Sequence, residues 1–399
     1  MFYKRKGVAM REGTLLVHAG RHISDDYDFV NPPVIRASTV LHKSSEDMLN
    51  RAMHERDMIE DKIPYGTYGS PTHHAFYKAL CALEGPKAKG AWAFPSGLAA
   101  CTIPLLSFLK SGDHALFIDT IYGPTREFAE EILRRMGVEV EFFPPSVAEN
   151  IVSYFKPNTT LLMMETPGSH TFEMPDVPAI AKACREHHII SVIDNTWATP
   201  LYFKPLEVGV DVVIHAATKY IGGHSDLTMG VVICNEETWP RAYRTIVQTG
   251  QTTGCDDIYL AYRGLHSMSV RVKASTESAK KIIDWLLTRE EVERVLWPAL
   301  PTDPSYPIWK RDFKGATSLF GVVFKEQYAN KLAPMIDALK IFGRGYSWGG
   351  YESLLIQSYG TRIQTPMPFE RMVRIAVGLE NPDDLIDDLK RALEKLRSC

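Results

Sequence analysis

The sequence predicts an α/β chain, with a mostly parallel sheet in a large domain and a smaller C-terminal α+β domain. Three observations carry this. Between about residues 62 and 255, short apolar runs alternate with helix-like segments. Three acids, Asp119, Glu165 and Asp194, stand at the ends of such runs, where open α/β sheets place their ligand crevices. After residue 256 the alternation gives way to one long helical stretch, a proline-rich patch and sparse strand signals.

Residues 1–61 read as an irregular arm, with two prolines in NPPV and a charged helical run from Ser44 to about Asp61. The arm is expected to contact a neighbouring subunit. In the large domain, 62–255, the strand-like runs are ALFID (115–119), LLMME (161–165), IISVID (189–194), VVIHA (212–216) and MGVVIC (229–234). Helix-like segments at 125–137 and 177–188 lie between them. Continuous apolar strands of this kind suit a sheet covered on both faces. In the third segment, 256–399, a helix from about Asp256 to Arg289 precedes the patch WPALPTDPSYP (297–307). Strand signals follow at 319–325 and 372–378, and the chain closes on an amphipathic helix with Leu385, Ile386, Leu389, Leu393 and Leu396 on one face.

The 399 residues carry a formal net charge of −3. No basic field recruits nucleic acid or a membrane surface, so a small molecule is the expected partner. The most apolar stretch, Trp92 to Leu109, is broken by Pro95, Gly97 and Pro104 and does not read as a membrane span. The first ten residues are basic but lack an apolar core of signal-peptide length. The six cysteines form no CxxC motif, and a reduced, mostly buried role is expected. These features point to a cytoplasmic protein. The pairs His73-His74 and His187-His188 lack metal-ligand spacing, and no metal is expected. GRGYSWGG (343–350) is glycine-rich but is not a nucleotide-binding loop.

The chemistry-bearing residues centre on IDNTWATP (193–200) and HAATKYIGGHSD (215–226). Asp194 ends one strand and Lys219 follows another. A nucleophilic lysine must be partly neutral, which desolvation promotes. A carboxylate facing a ring nitrogen keeps that nitrogen protonated, so the ring can accept electrons. A lysine after a strand is also an ordinary surface residue, and a strand-end Asp an ordinary turn former. In FPSGLAA (94–100), Ser96 and Gly97 open a helix of small residues, an arrangement able to receive a phosphate; Thr218 could add a hydroxyl. Tyr122 follows a strand end and suits either packing or covering a flat ring. Arg374 interrupts an apolar strand and needs an anion, from a substrate carboxylate or a structural ion pair.

Taken together, YGTYGSPT (65–72), LEGPKA (83–88), FPSGLAA, DTIYGPT (119–125), ETPGSHTFEMPDVPAI (165–180), IDNTWATP, ATKYIGGHSD, GYSWGGYESL (345–354) and RIAVGLENPDDLIDDL (374–389) resemble the Cys/Met-metabolism family. This is a family of pyridoxal-phosphate (PLP) enzymes with the fold-type I transferase fold. The likeness runs in order from about Thr14 to the C-terminus. It implies PLP held as a Schiff base on Lys219, which also moves the substrate Cα proton. Asp194 would pair with the pyridinium nitrogen and Tyr122 stack on the ring and assist catalysis. Gly97, Leu98 and Thr218 would hold the phosphate, with Tyr65 reaching in from a neighbouring subunit. Arg374, Ser347 and Trp348 would receive the substrate beside Tyr122, with Asn195 and Trp197 behind the cofactor.

Within the family, YSWGGYES and HAATKY resemble the bacterial cystathionine β-lyases. This implies a carbon–sulfur β-lyase of methionine biosynthesis, cleaving L-cystathionine to homocysteine, pyruvate and ammonia, in a homotetramer built as a dimer of dimers. The alternatives are a γ-lyase or γ-synthase, a broad cysteine-S-conjugate β-lyase, and a catalytically dead regulatory homologue. Two positions depart from the family pattern: Thr67 stands where a phosphate-binding arginine is usual, and Ala216 where a serine is usual.

Overall fold

The computed structural model describes residues 10–21, 29–54 and 63–398. Its larger sheet has seven strands: β1 (Gly90–Phe94), β2 (His114–Ile118), β3 (Glu139–Phe143), β4 (Thr159–Glu165), β5 (Ile190–Asp194), β6 (Val212–His215) and β7 (Gly230–Cys234). They lie in the order β1-β7-β6-β5-β4-β2-β3. Every pairing among β2 to β6 is parallel. Only β7 is reversed, antiparallel to both β1 and β6. The mostly parallel sheet expected from the sequence is therefore present. Central strands β2 and β5 to β7 are almost wholly buried, which is why their sequences are continuously apolar rather than alternating.

Two strands of this sheet escape the sequence reading. β1 runs almost directly into the helix Gly97–Phe108, so strand and helix merge into the single apolar stretch at Trp92–Leu109. β3 is an edge strand whose first residues, Glu139 to Glu141, are exposed or half-buried and polar in alternation.

The smaller sheet is antiparallel, in the order β10-β11-β9-β8. Its strands are β8 (Val292–Leu296), β9 (Leu319–Phe324), β10 (Leu354–Gln357) and β11 (Met372–Ala376). The helix Cys255–Leu286 links the two sheets and packs against the terminal helix Pro382–Arg397. Asn381 caps that terminal helix, its side chain accepting from Asp383 N–H at 2.9 Å. The buried Asp388 on it accepts the backbone N–H groups of Lys340, Ile341 and Phe342 at 2.7–3.1 Å. That anchors the loop leading to residues 343–350.

Part of the arm is ordered differently from the expectation. Glu12–His18 is a helix with Leu16 fully buried. The Tyr262 hydroxyl donates to Ala19 O at 2.6 Å, and His266 Nδ1 bonds Leu16 O at 2.7 Å. This piece of the arm thus packs on the chain's own long helix. The charged run begins as the helix Ser45–His54, and its expected continuation to Asp61 lies outside the described residues. Among the described residues no helix is long and apolar enough to cross a membrane.

Candidate active site

Three contacts bring the small sheet over the carboxyl edge of the large one. Trp197, just beyond β5, donates its indole N–H to Leu319 O on β9 at 3.0 Å. Arg311 makes a bidentate pair with Asp176, both contacts 2.8 Å. Arg362 reaches Asp119 at 3.0 Å and Glu173 at 2.5 Å. Asp119 also takes Arg126 at 2.7 Å and the backbone N–H groups of Ile363 and Gln364. These donors outweigh burial and hold its carboxyl below the usual range. Asp119, one of the three strand-end acids, therefore organises the loop at 362–364. Replacing it with Ala removes a carboxylate shared by two buried guanidinium groups, leaving Arg362 with Glu173 and Arg126 with the more distant Glu130, and is expected to cost about 3 kcal/mol of stability. A thermal midpoint unchanged from the parent protein would contradict this.

Lys219 sits on a tight turn after β6. Lys219 N–H donates to Ala216 O at 3.0 Å, and Gly223 N–H donates to Lys219 O at 2.8 Å. Its ammonium donates to Ser347 Oγ at 2.7 Å and lies 5.5 Å from the Trp348 ring centroid. Ser347 adopts φ +79°, a left-handed backbone that a non-glycine residue holds only when its surroundings enforce it. The same residue's carbonyl accepts from Arg374 Nη2 at 2.9 Å. One strained serine thus binds the lysine through its side chain and the arginine through its backbone. Gly349, at φ +81°, lets this loop approach, because a Cβ there would lie 3.0 Å from Tyr220 N and 3.1 Å from Lys219 C.

Burial depresses Lys219 to about 8; the nearby Arg374 charge adds to the effect and Asp194 opposes it. Burial also lowers Arg374 to about 10. Among the described residues neither cation has a carboxylate within ion-pair distance. Among the described residues no structural ion pair accounts for Arg374, which leaves a part-buried guanidinium able to take an anion.

Asp194 and Glu165 are register neighbours on β5 and β4. Asp194 accepts from Thr196 N–H at 3.0 Å and from its hydroxyl at 2.5 Å, with Cys101 Sγ 3.8 Å away. Glu165 accepts from Ser169 Oγ at 2.7 Å and from Tyr122 N–H at 2.6 Å. Burial pushes both carboxyls above their usual range, and Asp194 pushes Glu165 further. Among the described residues no cation is bonded to either of these adjacent acids, Asp194 buried and Glu165 half-buried, which marks a place for a positively charged group. Tyr122, half-exposed at the mouth, is positioned through Glu165.

The helix Gly97–Phe108 starts beside this turn, with Ser96 Oγ accepting from Ala99 N–H at 3.1 Å. Gly97 is bare for a reason: a Cβ there would lie 2.9 Å from the Ala216 Cβ. Leu98 is exposed at the same helix start. The Thr218 hydroxyl accepts from Met229 N–H at 2.8 Å and lies 3.2 Å from Met229 O, so it is already paired. Asn195 is buried and donates to Phe203 O at 2.9 Å. Tyr65 is exposed and bridges Thr39. Among the described residues no hydrogen bond joins Tyr65 to Lys219, Asp194, Tyr122 or Arg374.

Three neighbours of the site were not singled out as site residues from sequence. Cys101 lies on the helix face toward Asp194, four residues after Gly97, a helical spacing that could have signalled it. The His170 and Tyr359 rings lie 4.7 Å apart between centroids, tilted at 52° to each other. His170 lies inside the block ETPGSHTFEMPDVPAI, which assigns it no role, and Tyr359 lies in none of the blocks. Burial and the Arg374 charge lower His170 to about 3.

An amine of lowered basicity, a pair of adjacent acids and an arginine with no carboxylate partner among the described residues converge at the carboxyl edge of an α/β sheet. That combination defines a site for an amino-acid substrate and a cationic, electron-accepting ring. The chain belongs to the Cys/Met metabolism PLP-dependent enzyme family, whose model matches residues 13–394. It is 46% identical to a Rhizobium johnstonii protein provisionally named cystathionine beta-lyase, over 95% of this chain and 94% of that one. It is 41% identical to the L-alanine/L-glutamate racemase of Wolbachia pipientis, over 97% and 98%. It is 38% identical to cystathionine beta-lyase MetC of Escherichia coli, over 96% and 98%. Among solved structures, metB from Corynebacterium glutamicum superposes with a TM-score of 0.87 at 30% identity, covering 97% of this chain and 99% of that one. The expected fold-type I architecture is thereby established. The residues present fit PLP: the acid pair suits a pyridinium, the lysine an aldehyde, and the bare start at Gly97 a phosphate.

Proposed function

We propose that the protein is a carbon–sulfur β-lyase that converts L-cystathionine and water to homocysteine, pyruvate and ammonia. The observation that carries this reading is Ser347, which holds Lys219 by its hydroxyl and Arg374 by its carbonyl. A base and a carboxylate receptor are thereby fixed relative to each other, as removal of a Cα proton requires. The high identity to cystathionine β-lyases along nearly the whole chain supports the choice of substrate.

PLP, when bound, withdraws electrons from the substrate amine, which makes the Cα proton acidic and lets a β-thiolate depart. Asp194 would hold the ring nitrogen protonated, and Thr196 would orient Asp194 through its two hydrogen bonds. Gly97 and Leu98 would hold the phosphate, and the Thr218 hydroxyl would join them by turning its proton from Met229 O to a phosphate oxygen. Arg374 would grip the substrate carboxylate with Ser347 and Trp348 beside it. Lys219 would take the Cα proton and return one to the leaving sulfur, acting as base and then acid. Its lowered basicity keeps a usable neutral fraction near neutral pH. Tyr122 would cover the ring and exclude water. Tyr65, exposed and unconnected to its own site, would complete the site of a second copy in a cytoplasmic homotetramer.

Purified holoenzyme is expected to release pyruvate and homocysteine from L-cystathionine in equal amounts. Release of 2-oxobutyrate and cysteine instead would replace this reading with γ-cleavage. The racemase relative favours a second reading, because racemisation also begins with loss of the Cα proton. D-alanine formed from L-alanine faster than pyruvate from cystathionine would establish it.

A further inference from the structure

The turn that carries Lys219 is also held by an arginine of the long helix Cys255–Leu286. The turn runs from Lys219 to Gly223, and its residues Tyr220, Ile221 and Gly222 are buried, so its carbonyls need donors from the protein. Lys219 O accepts from Gly223 N–H at 2.8 Å, and Gly222 O is bonded to His224 Nδ1 at 2.7 Å. The two carbonyls between them are met from the helix. Arg271 Nη2 donates to Tyr220 O at 2.9 Å and to Ile221 O at 3.4 Å. The same nitrogen reaches Gly264 O at 2.7 Å, and Arg271 Nε donates to Ser267 Oγ at 3.1 Å. One guanidinium thus ties the turn to two points on the helix.

The packing leaves the turn little room to shift. Gly264 is bare because a Cβ there would lie 2.3 Å from Gly222 O and 2.4 Å from Ile221 O. Arg271 stands seven residues on, along the same helix face. A Cβ on Gly223 would lie 1.8 Å from its Nη1. From the small domain, the Trp348 ring meets the Tyr220 ring at 5.2 Å between centroids. The turn is clamped between the helix and the 347–350 loop, and Lys219 Nζ ends 2.7 Å from Ser347 Oγ. Burial lowers Arg271 to about 10, with no acid among the causes. A part-buried guanidinium bonded to neutral carbonyls is a poor source of stability, but its rigid fork fixes the positions of the groups it bonds.

We propose that Arg271 is a positioning residue: by tying the turn to the long helix, it fixes where the Lys219 amine stands. The inference rests on the reading of Lys219 as the reacting amine. Proton transfer is steep in distance, so a drift of about 1 Å at the amine costs up to about 10²-fold in rate.

The first measurement uses the full-length protein freed of PLP. Acetic anhydride acetylates only neutral amines, so the pH of half-maximal labelling, read from the mass of the Lys219 peptide, reports how that amine is held. Wild type is expected near the value of about 8 set by burial. Arg271→Met is expected to raise that midpoint by about one pH unit, as a loosened amine regains solvent. In the PLP-loaded enzyme the same variant should lose about 10–100-fold in kcat for L-cystathionine, with KM within about threefold because Arg374 is untouched. Arg271→Lys keeps the charge but not the fork, so a rise of about half a unit there belongs to geometry rather than to charge. An Arg271→Met midpoint within about 0.3 unit of wild type would overturn the inference, whatever happens to kcat. A kcat within about threefold of wild type would overturn it as well. Should Arg271→Met fail to fold, Arg271→Lys decides alone, and an unmoved midpoint there sinks the inference. Wild-type holoenzyme that releases no pyruvate from L-cystathionine would remove the lyase reading only, because the labelling series needs neither substrate nor cofactor.

Discussion

Lys219→Met is expected to lower pyruvate release from L-cystathionine by about 10⁴-fold, at the upper end of what a positioned acid–base group supplies. It should also abolish the visible absorbance band of reconstituted enzyme. The same substitution is expected to stabilise the cofactor-free protein. Folding takes the Lys219 amine from an ordinary value of 10.5 to about 8, so the unfolded chain binds more protons between those limits. Stability then rises with pH across the window. Below pH 8 the part-buried ammonium carries a penalty on the order of 1–3 kcal/mol, which fades as pH approaches 10.5. Methionine fills similar volume without charge, so it should show its advantage at pH 7 and lose it by pH 10.5. Equal unfolding midpoints at both pH values would show that the lysine is not held under strain. Activity and stability opposing each other at one residue is the pattern expected of a functional site.

Arg374→Met should raise KM for L-cystathionine by about 10²–10³-fold, corresponding to the roughly 3–4 kcal/mol lost when one partner of a buried charge pair is removed. Arg374→Lys is expected to rescue little. A lysine offers no planar fork, and it cannot both satisfy Ser347 O and present two parallel donors to a carboxylate. The kcat should fall less than kcat/KM, because the arginine contributes to binding in the ground state as well as in the transition state. A KM within threefold of wild type for both variants would assign Arg374 a purely structural part in holding the 347–350 loop.

Much of this was legible in the chain. The strands that carry Asp194 and precede Lys219 are buried on both faces, and a two-sided burial writes itself as an uninterrupted apolar run. β1 and β8 were not legible for opposite reasons: β1 is fused to an apolar helix, while β8 (VERVL) carries exposed charges at Glu293 and Arg294. Lys219, Asp194 and Arg374 stood out because each is a charged residue at or inside an apolar run. Glu165 and Asp119 share that signature, yet they diverge. Glu165 stands beside Asp194 in the acid pair, whereas Asp119 is consumed by Arg126, Arg362 and two backbone donors. Only Arg126 lies near Asp119 in the chain, 7 residues on; Arg362, Ile363 and Gln364 lie 243 to 245 residues away, beyond the reach of any spacing argument.

The sequence by itself determined the sheet-building rhythm, the family, and the lysine and acid at two strand ends, because these depend on local periodicity and on short ordered motifs. Tertiary structure alone decided which charges are paired and which remain available. Pairing is a property of distance between elements far apart in the chain, and burial then sets its energy. Ser347 shows the division most clearly. As a letter in YSWGG it is one hydroxyl among many. Folded, its left-handed backbone joins the lysine of one sheet to the arginine of the other.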